Sequence, residues 1–528
     1  MKIEAVKVRR IYMQVADQIS ELIGNGSLKS GQRLPSERDL AERFNVSRPS
    51  IREAMIALEV GGLVEVRSGS GIYVKPHKEV SQHAPLKDNN LNPAEILEAR
   101  LRSNATPLTL HPQRLFPSDP GSREIARRIY LEIKQLPIIS PHGHTDPGWF
   151  ARNQPFANAT ELIVTPDHYV LRMLYSQGIA LEDLGIPGRH SDRPVASPRS
   201  AWRQFARHYH YFRGTPSRLW LDHVFQHLFG MAEVLNSSNA DNYFDHINDQ
   251  LQCPAFLPRA LFQKFNIEVL ATTESPLDSL QHHKTIQQSD WPGRVITTFR
   301  PDPVVDPEYE GFSDNIVALG KITGEDTSHY SGYLAALRAR RAYFIQHGAT
   351  ASDHGHPTPA TADLSQANAG ALYAKVINGK ATAAEAELFR AQMLTEMAAM
   401  SLEDGLVMQI HPGSHRNHNA DLFREFGRDK GADIPVATHY ADQLKPLLTK
   451  FGNRSELSII LFTLDETNYS RELAPLAGHY PCLKLGPPWW FHDSPEGMRR
   501  YRQQVTETAG FYNTVGFNDD TRAFLSIP

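Results

Sequence analysis

The sequence predicts an α/β protein, a (β/α)8 barrel of the TIM type carried behind a small helical head. From Asp119 onward short apolar strands alternate with long helical stretches, which is the pattern of a parallel sheet wrapped by helices. Nearly every strand candidate runs into polar, chemically capable residues, as barrels require when their chemistry sits at the carboxyl ends of the strands. Charge separates the head from the body. Residues 1–78 hold 13 Lys and Arg against 9 Asp and Glu, whereas the remainder holds 42 against 50.

A chain of 528 residues has room for a large core and more than one domain. No apolar run approaches the ~18 residues of a membrane span, and the N-terminus MKIEAVKVRRIYMQ lacks an apolar signal core, so a cytoplasmic protein with no membrane partner is expected. Cys253 and Cys482 are the only cysteines, which excludes a disulfide framework.

In the head, Ile11, Val15, Ile19, Leu22 and Ile23 fall at helical spacing before Gly24-Asn25-Gly26 stops the pattern. Ser36 can cap a second helix, with Asp39 completing a capping box, and Ser47 can cap a third with Pro49 in its first turn. Two helices joined by the short turn Asn45-Val46 have helix-turn-helix geometry, and Arg48 and Arg52 share one face of the second. Leu63–Arg67 and Ile72–Val74 flank a glycine-rich tip and read as a hairpin. The run LPSERDLAERFNVSRPSIREAMIALEVGGLVEVRSGSGIYV closely resembles the winged helix-turn-helix domain of GntR-type regulators, FadR subfamily, over about residues 8–76. That resemblance implies operator DNA as a partner, with Arg38, Arg48 and Arg52 as contacts and Gly69 at the wing tip. Such regulators continue into a helical effector domain. Here Asn92–Arg102 looks like its first helix, after which the pattern stops, so residues 79–110 are read as a linker holding a remnant and residues 111–528 as the barrel.

The eight strand candidates are Ile138–His142, Ile267–Thr273, Arg294–Arg300, Gly348–Asp353, Leu406–His411, Leu457–Thr463, Cys482–Gly486 and Tyr512–Phe517. The aromatic-rich stretch between the first two, with Tyr209, Tyr211, Phe212 and Trp220, reads as a helical insertion after strand 1. The first strand ends in His142-Gly143-His144, and in extended backbone residues i and i+2 face the same way, so both imidazoles can reach one metal ion. The last is followed by Asn518-Asp519-Asp520-Thr521-Arg522. Two histidines and an aspartate make three ligands for one divalent ion with open positions, as a catalytic site needs. Asp520 is preferred to Asp519 because it stands at i and i+2 with Arg522. No Lys or Glu on the fourth strand and no His after the sixth offer a second ion, so a mononuclear site is expected.

SPHGHTDP, TPDHYVLRMLYSQG, LATTESPLDSLQHH, FRPDPV, GATASDHGHP, GLVMQIHPGSHRNHN, PPWWFHDSPEGM and NDDTRAF, in that order, closely resemble the uronate isomerase family of the amidohydrolase superfamily, from about His111 to Pro528. The resemblance implies an aldose–ketose isomerase of hexuronates holding a divalent metal, usually Zn²⁺. It implies His142, His144 and Asp520 as ligands, with His168 and Tyr169 flanking the carbons between which a proton moves. Asp520 would also serve as a base toward a substrate hydroxyl and Arg522 would stabilise the enediolate. Arg300 and Arg416 are candidates for the sugar carboxylate, and His411 and Trp489 for the sugar wall. Relatives of this kind continue further beyond Arg522. A missing eighth helix and closing arginine are therefore expected to leave apolar surface open, at a cost of ~25 cal/mol per Å², with lower stability and impaired activity.

Two functions remain open: a hexuronate isomerase fused to a DNA-binding head, or a uronate-responsive regulator using the barrel as its sensor. A homo-oligomer is expected in either case. A metal-dependent hydrolase is disfavoured by the absent second-metal ligands.

Overall fold

The computed structural model describes residues 11–60, 63–67, 71–75, 106–516 and 518–527. The chain divides into two compact units, Met1–Pro107 and Leu108–Pro528. The expected helix Asn92–Arg102, most of the linker and Gly69 lie outside the described residues.

The first unit comprises α1 (Ile11–Gly24), α2 (Glu37–Phe44), α3 (Arg48–Val60), β1 (Val64–Arg67) and β2 (Gly71–Val74). Its apolar stripe closes on itself, burying Val15 and Ile19 of α1, Leu40 of α2, Ile51, Ala54 and Leu58 of α3, and Val64 and Val74 of the hairpin. Both serine caps form, whereas no bond from the Ser36 N–H to the Asp39 carboxylate completes a capping box among the described residues. Ser36 Oγ accepts the Asp39 N–H at 3.2 Å and Ser47 Oγ accepts the Ser50 N–H at 3.3 Å, each satisfying a donor the helix start leaves open. Asn45 ends α2 in the left-handed conformation, φ 50°, and so sets the turn into α3. β1 and β2 pair antiparallel, Val64 opposite Val74.

The second unit is organised by a seven-stranded parallel sheet of β3 (Ile138–Ser140), β4 (Ile267–Glu274), β5 (Arg294–Phe299), β6 (Ala351–His354), β7 (Val407–Ile410), β10 (Ile459–Leu461) and β11 (Leu483–Leu485); a minor ribbon, β8 (Ser414–His415) with β9 (Ile434–Pro435), stands apart. Strands neighbour one another in chain order from β3 to β11, as successive right-handed βαβ units lay them down. All four residues of β6 are buried, because helices cover one face and the ring interior the other. Between β3 and β4 stand the helices Pro147–Arg152 to Pro258–Lys264, the predicted insertion. Phe150, Trp202, Phe205, Tyr209, Phe225 and Tyr243 give it an aromatic core, continuous with Ile267 and Leu270 of β4 and Val295 of β5.

The eighth strand is a correction. Residues 511–513 form a 3-10 turn, and among the described residues beyond them only Thr514 joins the sheet, through a single parallel bridge to Leu485. Gly510, at φ 71°, turns the chain out of the preceding helix, and Phe511 and Tyr512 stand exposed. Beyond Asp520 the chain folds inward, burying Phe524, Leu525 and Ile527 against the insertion core. The helix Pro120–Ile133 buries none of its residues and presents Ile125, Ile129 and Ile133 to solvent. No helix among the described residues is long and apolar enough to cross a membrane.

One buried charge ties two outer helices together. Arg341, on the helix Tyr330–Gln346, is fully buried; its Nε and Nη2 donate to the Asp404 carboxylate at 2.6 and 2.9 Å, and Nη2 also to Ser401 Oγ at 3.0 Å. Asp404→Ala strands that guanidinium and is expected to cost about 3–5 kcal/mol, read as a lower urea midpoint of the second unit. Arg341→Met with Asp404→Leu should recover most of the loss; an unshifted midpoint in the single variant would refute the account.

Candidate active site and candidate nucleic-acid interface

The carboxyl ends of the strands open into a cavity of about 320 Å³, and the expected site residues His142, His144, His168, Tyr169, Arg300, His411, Arg416, Trp489, Asp520 and Arg522 all line it. His142 and His144 follow β3, and Asp520 is brought to them from the far end of the chain. The Asp520 N–H donates to the His142 carbonyl at 3.1 Å and the His144 N–H to the Thr521 carbonyl at 2.9 Å. Asp520 adopts φ 40°, a left-handed conformation that aspartate tolerates better than most residues. Its Oδ1 then stands 3.1 Å from His142 Nε2 and 3.0 Å from His144 Nε2. Gly143 is needed between the two histidines, because a Cβ there would meet Asp519 Oδ2 at 2.7 Å.

Those three side chains fit a divalent metal. Their ligand atoms lie within 4.8 Å of one another, and ligands at tetrahedral zinc are about 3.3 Å apart, so the site could take an ion with little movement. Asp519, the alternative to Asp520, is turned to Ser140, whose hydroxyl it accepts, and burial pushes its carboxyl up to about 7. His142, Asp353 and His411 form a second cluster of potential ligands. Its charge is already matched within the protein: His411 Nδ1 donates to Asp353 Oδ1 at 2.7 Å, and Arg300 Nη1 stands 3.0 Å from Asp353 Oδ2. A second cation there would sit against a guanidinium.

Burial sets the remaining charges. It pushes His144 down to about 4, although Asp520 opposes it. His142 moves up despite its burial, because it faces Asp353 as well as Asp520. Burial, aided by Arg522, takes His168 down to about 4, and burial with Asp520 holds the Tyr169 phenol well above its ordinary value. His168 Nε2 is buried without a partner, and its ring stacks on Tyr169 at 4.5 Å between centroids. Burial likewise raises Glu274, at the end of β4, to about 8. His411 lies flat between Phe462, 4.0 Å away, and His142, 4.7 Å away, while the Trp489 indole N–H donates to Asp520 Oδ2.

Sequence reasoning missed the loop after the helix Ala420–Phe426. Its Asp429, at φ 62°, stands 3.1 Å from Arg522, and its Asp433 accepts from Arg416 at 2.9 Å and from the Asn417 N–H at 2.7 Å. Gly431, at φ 80°, passes so close to the helix of His168 that a Cβ would meet the His168 carbonyl at 2.7 Å. The signal was GRDKGAD, charges bracketed by glycines, which resembles any solvated loop.

In the first unit Arg38 is exposed and 3.4 Å from Glu42, one turn along α2. Arg48 is exposed at the start of α3. Arg52 reaches back to α2, donating to both oxygens of Glu37 at 3.1 and 2.8 Å, so it braces the two helices.

Residues 121–528 match the family described as Glucuronate isomerase, and residues 11–74 match Bacterial regulatory proteins, gntR family. The uronate isomerase of Rhizorhabdus wittichii is 67% identical over 424 residues, 80% of this chain and 90% of that protein. That of Xanthomonas axonopodis pv. citri is 65% identical over 421 residues, 80% and 89% of the two chains. The crystal structure of glucuronate isomerase from Caulobacter crescentus superposes with a TM-score of 0.78 at 63% identity, covering 80% of this chain and 88% of that one. Uronate isomerase from Thermotoga maritima gives 0.73 at 29% identity, covering 79% and 89%. Four-fifths of the chain, including every residue that lines the cavity, therefore belongs to the glucuronate isomerase family.

Proposed function

We propose that the second unit interconverts D-glucuronate with D-fructuronate and D-galacturonate with D-tagaturonate. Kinship supports the reaction class. The observation that carries it is His168, a neutral imidazole with a buried, unpartnered Nε2, set in one cavity with Asp520 and Arg522. His142, His144 and Asp520 would hold a divalent ion, zinc by analogy with the family, which supplies positive charge toward the sugar oxygens.

The chemistry assigned to this chain's own residues is proton traffic. His168 Nε2 takes the proton from C2, the C2–H electron pair forms the C1–C2 double bond of an enediolate, and the imidazolium then gives a proton to C1 or, in reverse, to C2. Asp520 carries the hydroxyl proton from O2 to O1. Arg522, held by Asp429, faces the negative charge of the enediolate. Tyr169, whose phenol stays protonated, flanks the carbons as a donor. His411, Arg300, Arg416 and Trp489 wall the sugar.

For the first unit we propose operator DNA as the partner, with Arg38, Arg48, Arg52 and Gly69 as contacts. The gntR match supports this and also a second reading, in which hexuronate in the barrel alters operator affinity. The exposed stripe Ile125, Ile129 and Ile133 supports self-association, and the lack of a long apolar helix among the described residues fits a cytoplasmic protein.

His168→Gln should lower kcat by about 10²- to 10⁴-fold and abolish solvent deuterium exchange at C2; retained exchange would remove His168 from the proposal. A histidine depressed from 6.5 to about 4 is neutral above that value, so kcat/KM for glucuronate should hold as the pH falls through 6 and drop only near 4. An acid limb near 6.5 would contradict it.

Removing divalent ions with a chelator should abolish turnover and lower the melting temperature, Zn²⁺ restoring both; full activity after exhaustive chelation would exclude the metal role. Fluorescence anisotropy of operator DNA with and without glucuronate separates the two readings of the fusion, an unchanged affinity ruling out coupling.

A further inference from the structure

The sugar cavity takes part of its wall from the loops that follow β5 and β6: the first brings Asp306 and Tyr309 to it, the second Gly355 and His356. One arginine that does not itself line the cavity grips both loops. Arg390, on the helix Ala383–Asp404, is 5% exposed; its Nη1 donates to Asp306 Oδ1 at 2.7 Å and to Glu308 Oε2 at 2.9 Å, and its Nε to Glu387 Oε2 at 2.8 Å. Glu387 in turn accepts the Thr358 hydroxyl, two residues beyond His356. Three carboxylates thus meet one planar guanidinium, whose fork fixes their spacing as a flexible ammonium would not.

Both loops depend on that grip. Asp306 Oδ1 also accepts the Glu308 N–H at 3.0 Å, and the Asp306 carbonyl accepts the Tyr309 N–H at 3.0 Å, so the turn that carries Tyr309 to the cavity is built on the residue Arg390 holds. In the second loop the Ala362 N–H donates to the Ala391 carbonyl at 3.1 Å and the Leu364 N–H to Gln392 Oε1 at 2.8 Å, anchoring it to the same turn of helix. His356 is buried with both ring nitrogens unpartnered, so its own hydrogen bonds do not set its place; the tether at Thr358 does. Without the guanidinium, Asp306, Glu308 and Glu387 would be left as neighbouring like charges with nothing between them.

Resting on the hexuronate reading above, we infer that Arg390 is a positioning residue for the isomerisation, which sets the sugar-facing wall by holding Tyr309 through Asp306 and His356 through Glu387 and Thr358. A residue that shapes the wall equally for bound substrate and transition state acts on KM and spares kcat.

The test uses the full chain loaded with Zn²⁺, with kcat and KM measured for glucuronate and calorimetric affinity measured for its C1-reduced acid alditol, which cannot isomerise. Arg390→Met should raise KM and weaken the alditol about 10- to 50-fold while kcat falls by less than about threefold; Arg390→Lys should recover part of the loss. Thr358→Val, which cuts one tether and leaves the buried charges paired, should raise KM about two- to fivefold near the wild-type urea midpoint, and it decides the case if Arg390→Met does not fold. The Arg390→Met factor should shrink in a Tyr309→Leu background, because the two residues act as one unit. A folded Arg390→Met with wild-type KM, a loss confined to kcat, an equal factor in both backgrounds, or an unchanged KM in Thr358→Val overturns the assignment. A wild-type chain that binds the alditol but leaves glucuronate unchanged sinks the isomerase reading alone, and the alditol affinities of the same variants then decide the role of Arg390.

Discussion

The meeting of Asp520 with His142 and His144 is the constraint on which the barrel and its site both depend. The sheet alone does not close the ring, since β3 and β11 are its two edges and Thr514 adds one bridge beyond β11. Closure is made by two backbone hydrogen bonds between residues 142–144 and 520–521, with a carboxylate shared by two imidazoles beneath them. Holding Asp520 in a left-handed conformation costs on the order of 1 kcal/mol or more, and strain of this kind persists only where surrounding bonds fix it. The same atoms that join the ends of the fold thus define the place where an ion fits.

Around that junction, charges of opposite sign alternate. Asp520 faces His142 and His144; Asp353 faces His142, His411 and Arg300; Arg300 faces Asp302; Asp429 and Asp433 hold Arg522 and Arg416. Buried charges survive only when paired, and here each pairing also fixes an orientation. His411 is the example: its Nδ1–H is committed to Asp353, so its Nε2 is left as the acceptor toward the cavity. Aromatic rings complete the wall where charge would be unmatched, as Phe462 and Trp489 do around His411.

Most of the fold was legible because it rests on local signals. The seven strands of the sheet fall on the apolar runs that announce them, shortened by a residue or more at most of their ends, with β4 and β6 each running one residue further, and the aromatic stretch after β3 does form an inserted core; the two-residue strands β8 and β9 were not foreseen. The failure at Tyr512–Phe517 is instructive: a short apolar run suggested a strand, but Gly510 redirects the backbone and, among the described residues, only Thr514 finds a strand partner. In the site, residues at strand ends could be read, since topology carries them to one face. Residues 427–433 could not, because nothing in a polar loop reveals that Asp429 and Asp433 will meet arginines from two distant segments. Arg52 shows a different limit. The pattern placed it on the face of α3, and the bidentate bond to Glu37 that now holds it depends on how α2 packs.

A regulatory coupling between the two units would need hexuronate to favour one state of the head over another, because a ligand shifts an equilibrium only by its differential affinity for the two states. The cavity offers little of that kind. Arg300, Arg416 and Arg522 are braced by the protein's own acids, His142 and His168 are stacked on neighbouring rings, and the His142–His144–Asp520 junction is fixed by backbone as well as side chains, so a sugar entering it meets a surface largely in order. Such a site suits catalysis, where preorganised charge stabilises the enediolate without rearrangement. The physical link between barrel and head is therefore better sought in assembly. A winged helix reads paired half-sites as a dimer, and any self-association of barrels raises the effective concentration of a second head on the same DNA, strengthening binding with no change in the sugar site.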